Sequence, residues 1–163
     1  MDVVPALARW LHFMAGITWL GLLYYFNLVQ TPALKAATDD GTALGITKHI
    51  VPRALFYFRW SALVTWLAGA ALLGSNFRAA FTLSKGFAAI GVGAWLGTIM
   101  LLNVWGIIWR NQKKILGLKP ATDEEKNKAR RIVFLTSRIN MALSMPMLFF
   151  MASGLSHRAV FGL

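Results

Sequence analysis

The sequence predicts an all-α integral membrane protein: a four-transmembrane-helix bundle with both termini on the outer side of the membrane. Three observations predict this fold. The 163 residues are 57% hydrophobic and only 14% charged, the charged residues fall into a few segments, and most basic residues lie on one side of the predicted helices. A soluble domain carries about 25% charged residues, so much of this surface is expected to face lipid. We expect a single membrane domain over residues 1–163.

Long uncharged stretches between the charged segments define the helices. A bilayer-spanning helix needs about 20 mainly apolar residues. The four helices are predicted near 7–29, 54–75, 86–109 and 132–154.

The first helix contains the stretch RWLHFMAGITWLGLLYYFNLVQ, residues 9–30. Its apolar part is longer than the roughly 7–15 residues of the apolar region in a signal peptide, and no A-x-A-like cleavage site follows directly, which favours a retained helix. The loop after it is long enough for an interfacial helix at 42–50, which we expect Pro52 to end.

Small residues in the second and third helices predict close packing between them. Ala70 and Gly74 have the same spacing as the glycines of GAWLG, residues 93–97, which is a GxxxG match. The fourth helix is predicted to begin after Thr122 as its N-cap, with three acidic residues in its first turn.

The basic residues predict the orientation of the bundle. The loops after the first and third helices share one side and carry eleven of the 17 Lys and Arg residues: Lys35, Lys48, Arg53, Arg110, Lys113, Lys114, Lys119, Lys126, Lys128, Arg130 and Arg131. The positive-inside rule places both loops in the cytoplasm of a bacterial cell, with the protein in the inner membrane. This bias also accounts for the net charge of +11 without a nucleic-acid partner.

Two histidines are predicted to meet at the outer side of the membrane. His12 lies near the start of the first helix and His157 follows the fourth. Neutral imidazoles on facing helices are the usual ligands of a b-type haem and also bind copper or zinc. Alternatively, His12 donates a hydrogen bond to a backbone carbonyl and His157 is a hydrated interfacial residue. His49 lies in the cytoplasmic loop and is expected to be solvated.

A polar level is predicted at the inner side. Its members are Asn27, Gln30, Arg59, Asn103, Arg138 and Asn140. All six acidic residues of the chain fall outside the predicted helices, so Arg59 and Arg138 have no carboxylate within them. Either these guanidinium groups reach the headgroups, or they bind an anion together with the asparagines: haem propionates, a substrate, a lipid or a partner's carboxylate. With no mid-span acid and no nucleophile–base set at one depth, a proton-coupled transporter and a nucleophilic enzyme are disfavoured, and no catalytic residue is assigned.

Three stretches together resemble the membrane domain of the bacterial cytochrome-c-linked urate oxidases. They are RWLHFMAGITWLGLLYYFN (9–27), KHIVPRALFYFRW (48–60) and SRINMALSMPMLFFMASGLSH (137–157). The resemblance emphasises His12, Trp19, Gly21, Pro52, Arg53, Arg59, Trp60, Arg138, Asn140, Ser144, Pro146 and His157. A weaker likeness, LHFMAGITWLGLLYY, points to the four-helix membrane protoporphyrinogen oxidases, which bind b-haem through a histidine early in their first helix.

The resemblance implies a redox-linked subunit that binds haem b through His12 and His157 and passes electrons toward a c-type cytochrome. Full-length enzymes of that kind continue into a cytochrome c domain, whereas this chain ends at Leu163 and has no cysteine for a c-type haem. We therefore expect no complete urate oxidase, but at most an oxidoreductase subunit. The alternative is a cofactor-free accessory subunit that stabilises a larger respiratory or photosynthetic membrane complex.

Overall fold

A computed structural model describes residues 3–152 of the chain. Four helices account for most of that range: α1 (Val3–Asp39), α2 (Ala43–Phe81), α3 (Ala88–Ile115) and α4 (Asp123–Met151). Each is long and apolar enough to cross a membrane, which confirms the all-α, four-helix prediction.

Pairs of contacting residues show that neighbouring helices are antiparallel. From the start of α1 toward its end, His12 contacts Thr65 and Phe26 contacts Phe58, so the numbers on α2 fall as those on α1 rise. The contacts between α1 and α4, between α2 and α3 and between α3 and α4 follow the same rule. Val3 and Met151 therefore lie at one end of the bundle, here called the terminal end. The other end, which holds residues 40–42 and 116–122, is called the basic end.

The helices are longer than the predicted spans at the basic end. α1 continues to Asp39 rather than ending near residue 29. The apolar pattern ends before Ala33, but Ala33 to Ala37 are good helix formers. The helix therefore continues beyond the apolar stretch.

The sequence predicted a separate interfacial helix at 42–50, but residues 43–50 are the first part of α2. A π-helical turn at Ile46–Ile50 precedes Pro52, which lies in the first turn of the following α-helical stretch. Proline is tolerated in a first turn because its missing N–H would have no α-helical partner there. Pro52 therefore does not end the helix.

Two further π-helical turns interrupt the long helices, at Tyr25–Gln30 in α1 and Asn103–Ile108 in α3. Such turns widen the helix by one residue and occur often at functional sites.

The core lies between all four helices. It consists of Trp19, Leu23, Phe58, Ala62, Met100, Val104, Ile108 and Met147. The ring of Phe58 meets that of Phe26 edge-on, with centroids 5.4 Å apart. Large apolar side chains such as Trp10 and Ile17 are exposed around this core, as expected of surfaces that face lipid.

Thr122 caps α4 as predicted. Its hydroxyl accepts a hydrogen bond from the backbone N–H of Glu125, and the Glu125 carboxylate accepts one from the N–H of Thr122. This capping box fixes the point at which the loop 116–122 becomes helix.

Candidate functional site

Two cavities open at opposite ends of the bundle. The cavity at the terminal end, here called the His12 cavity, has a volume of about 650 Å³. The cavity at the basic end, here called the Lys35 cavity, has a volume of about 600 Å³. Both volumes fall within the range of roughly 300–1,000 Å³ that is usual for small-molecule sites.

The imidazole of His12 bridges α1 and α2. Its Nδ1 lies 2.8 Å from the backbone carbonyl oxygen of Thr65, so Nδ1–H donates, and in the neutral imidazole Nε2 carries the lone pair. Gly69, one turn after Thr65 on α2, makes this contact sterically allowed: a Cβ there would lie 2.9 Å from Cε1 of His12. The hydrogen bond predicted as the alternative for His12 is present.

The same hydrogen bond also orients a metal-binding histidine. Histidines that bind a metal through Nε2 usually donate Nδ1–H to a carbonyl or carboxylate, which fixes the tautomer and the ring plane. No hydrogen bond to Nε2 is present among residues 3–152. His12 can therefore bind a metal through Nε2 while its Nδ1–H bonds to Thr65.

The walls of the His12 cavity are mainly apolar and combine small with aromatic residues. The small residues are Gly16, Gly21, Gly69, Ala70, Ala94 and Gly97. The aromatic ones include Trp66, Phe77 and Phe81. A flat apolar ligand with one metal ion facing His12 matches this lining, so the residues present fit a b-type haem. His157, the predicted second ligand, lies outside the described residues.

A non-haem metal site has no support within the described part of the chain, where no group of three or more His, Cys, Asp or Glu side chains is arranged to hold a metal ion. His49 is exposed and belongs to the π-helical turn Ile46–Ile50 at the basic end. It is therefore at the opposite end from His12.

The asparagines of the predicted inner level form hydrogen bonds between helices. Asn140, which is 0% exposed, accepts from the Asn103 amide at 2.8 Å and donates to the Met100 carbonyl at 3.1 Å. Asn27 donates to the Ser137 hydroxyl at 2.8 Å and to its own helix at Leu23. One level further along, Tyr24 and Ser144 share a hydrogen bond of 2.9 Å between α1 and α4.

The two arginines of that level lie apart from these asparagines. The guanidinium of Arg59 lies 3.9 Å from the ring centroid of Trp109 and 5.3 Å from that of Phe56. Arg138 is exposed on α4, 5.0 Å from the ring of Phe134. Neither arginine lines the His12 cavity or the Lys35 cavity. Both guanidinium groups therefore form cation–π contacts. That Arg59, Arg138 and the asparagines bind one anion stays a prediction.

The sequence interpretation did not identify the Lys35 cavity. All three π-helical turns contribute to its wall, through Phe26, Asn27 and Gln30, through Thr47, and through Ile108. Lys35 and Arg130 lie at its basic end. The charge bias of these loops was visible in the sequence, but the π-helical turns that shape the space have no known sequence pattern.

Comparison with known protein families matches residues 75–161 to the family described as urate oxidase N-terminal. The match covers more than half of the chain and includes α3, α4 and the quoted stretch 137–157; the other two stretches, 9–27 and 48–60, precede it. No curated protein and no solved structure matches the chain.

Proposed function

Because the chain belongs to the urate oxidase N-terminal family, we propose that this four-helix membrane domain binds a b-type haem through His12 and is a redox-linked subunit that passes electrons toward a c-type cytochrome. The observation that carries the proposal is the imidazole of His12, oriented by Thr65 and bordering an apolar cavity of about 650 Å³. A haem held there would supply one-electron transfer.

The protein's own part is to hold and shield that group. Thr65 keeps the Nδ1–H tautomer of His12, so that Nε2 is available as a ligand. Gly69 leaves room for the ring, and the small residues of α3 leave room beyond it. We propose that His157 would hold the same group together with His12, because it comes six residues after Met151, which ends α4 and lines the cavity.

The direction of electron flow follows from the proposed orientation. If the loops at 40–42 and 116–122 are cytoplasmic in the bacterial inner membrane, the His12 cavity lies toward the outer face. A haem at that level is close to soluble c-type cytochromes outside the cytoplasm.

An absorption spectrum tests haem binding directly. The full chain, expressed with haem precursor and purified in mild detergent, is expected to show a Soret band that shifts on reduction with dithionite. His12→Ala should abolish the band, and His49→Ala, which removes an exposed histidine at the basic end, should leave it unchanged. Haem analysis of both variants at equal protein concentration provides the stoichiometry.

A colourless wild-type protein after haem-supplemented expression would overturn the proposal, and so would an unchanged band in His12→Ala. Gly69→Ala gives a more graded readout. Because a Cβ at Gly69 meets His12, the variant should shift the band or lower haem occupancy while the helix content stays constant.

One observation favours a second candidate, a cofactor-free accessory subunit of a respiratory or photosynthetic complex. The bond to Thr65 already satisfies one nitrogen of His12 within the bundle. Under this alternative the protein copurifies with partner subunits at fixed stoichiometry and carries no haem. Purification in mild detergent, followed by spectrum and subunit analysis of the same sample, separates the two candidates.

A further inference from the structure

We propose that the Lys35 cavity is a binding site for one acidic phospholipid, with the phosphate between Lys35 and Arg130 and an acyl chain along the apolar wall. This site is at the opposite end of the bundle from His12 and does not depend on the haem proposal.

The cavity has a polar mouth and an apolar interior. At the mouth, Lys35 comes from α1, Gln112 from α3 and Arg130 from α4. Toward the core, the wall includes the apolar side chains of Phe26, Leu55 and Phe58, with Asn27 and Gln30 beside them. A ligand that fills this space must therefore carry a polar head and an apolar tail.

The two cations at the mouth, Lys35 and Arg130, favour an anionic ligand. No Asp or Glu lines the cavity. Within residues 3–152, the two ion pairs engage Lys114 and Lys126, so neither mouth cation has a carboxylate within 4 Å. Arg130 donates a 2.6 Å hydrogen bond to the neutral amide oxygen of Asn127, which leaves its charge uncompensated. Asp39 lies one turn after Lys35 but forms no ion pair with it.

A phosphodiester can pair with both of these cations, which line the same cavity from different helices. Its two free oxygens can each accept a charge-assisted hydrogen bond, one from the ammonium of Lys35 and one from the guanidinium of Arg130. Inorganic phosphate would satisfy the charge but leave the apolar interior hydrated.

The π-helical turns around the Lys35 cavity indicate a binding site rather than a packing gap between helices. Each of the three π-helical turns within residues 3–152 lines this cavity and none lines the His12 cavity. Regular α-helical turns at those positions would rotate Phe26, Thr47 and Ile108 relative to the rest of the wall.

Native mass spectrometry of the full chain tests the proposal. The protein is taken from mixed micelles that contain equal amounts of phosphatidylglycerol and phosphatidylcholine. We expect the wild type to retain one phosphatidylglycerol at least fivefold more often than one phosphatidylcholine. Lys35→Gln with Arg130→Gln should reduce this preference to about onefold. The control, Lys48→Gln with Arg131→Gln, makes the same charge change at the same end outside the cavity and should keep it.

A second variant covers the case in which the double substitution disturbs folding. Thr47→Trp keeps all charges and fills the cavity from α2. It should also abolish the retained lipid while the helix content, measured by circular dichroism, matches the wild type.

Equal retention of the two lipids by the wild type would overturn the proposal, as would an equal loss in the control variant, which would indicate general attraction to the basic end. Displacement of the lipid by millimolar inorganic phosphate would identify a free anion site instead. Displacement by laurate at the same concentration would identify a fatty carboxylate site.

Discussion

Asn140 connects two membrane helices through both ends of one amide. Its oxygen accepts from Asn103 and its nitrogen donates to the carbonyl of Met100, so a fully buried polar side chain has partners on both sides. Without them, an amide in an apolar interior would lose its hydration with no compensation. The bonds therefore stabilise the contact between α3 and α4.

Asn140→Ala is expected to lower the free energy of unfolding in detergent, because it removes both bonds and leaves Asn103 without its partner. The coupling energy between Asn103 and Asn140, from a double-mutant cycle with alanine, should be about 0.6 kcal/mol, the average for interhelical hydrogen bonds in a membrane protein, and at most about 1.7 kcal/mol. Unfolding by a denaturing detergent, followed by circular dichroism, measures it.

Asn111→Ala is the matched control, since within residues 3–152 that half-buried asparagine bonds only to Ile107 of its own helix. A coupling energy near zero between Asn103 and Asn140 would mean that their contact does not contribute to stability.

The sequence predicted the depth of these polar side chains but not their partners. Counting residues along each helix placed Asn27, Asn103 and Asn140 at one level. Which of them face each other depends on helix rotation, and the π-helical turns at Tyr25–Gln30 and Asn103–Ile108 shift that rotation. Arg59 illustrates the same difficulty, because its aromatic partner Trp109 lies on another helix.

At the scale of the helix, α3 approaches the end of α2 most closely at Gly91. A Cβ on Gly91 would overlap the backbone carbonyl oxygen of Ala80. The GxxxG match in the sequence instead comprises Gly93 and Gly97, whose surroundings differ. Gly93 faces Met151 of α4, with a Cβ 3.2 Å from its Cγ, whereas Gly97 borders the His12 cavity with no neighbour within 4 Å. The motif thus predicted a glycine-rich surface correctly but not the contact that needs it.

Gly91→Ala is expected to destabilise the bundle by about 1–3 kcal/mol, as overpacking of a tight contact does, because the backbone of α2 cannot move aside as a flexible side chain can. Gly97→Ala adds the same methyl group to the same helix, where space is open, and should change stability little. The measurement is the free energy of unfolding of both variants under one set of detergent conditions. Equal effects would show that helix propensity, rather than contact with Ala80, determines the change.

At the scale of the whole molecule, the antiparallel order of the four helices follows from the sequence. Short loops at 40–42, 82–87 and 116–122 leave no other arrangement for consecutive helices. The number of helices was predictable because the charged segments are well separated. The residues at which α1 ends and α2 begins could not be predicted, because helix-forming residues continue beyond the apolar pattern in both helices.

The orientation that we propose from the basic residues can be measured, because the chain has no cysteine. Single cysteines at Ser84, between α2 and α3, and at Lys119, between α3 and α4, lie at exposed positions on opposite ends. Since short basic loops remain in the cytoplasm, Ser84→Cys should react with a membrane-impermeant maleimide in intact spheroplasts, and Lys119→Cys only after lysis. The reverse pattern would place the His12 cavity toward the cytoplasm and exclude direct electron transfer to an external c-type cytochrome. Labelling of both cysteines in intact spheroplasts would instead indicate mixed insertion, because one copy of an antiparallel four-helix bundle presents these two segments on opposite faces.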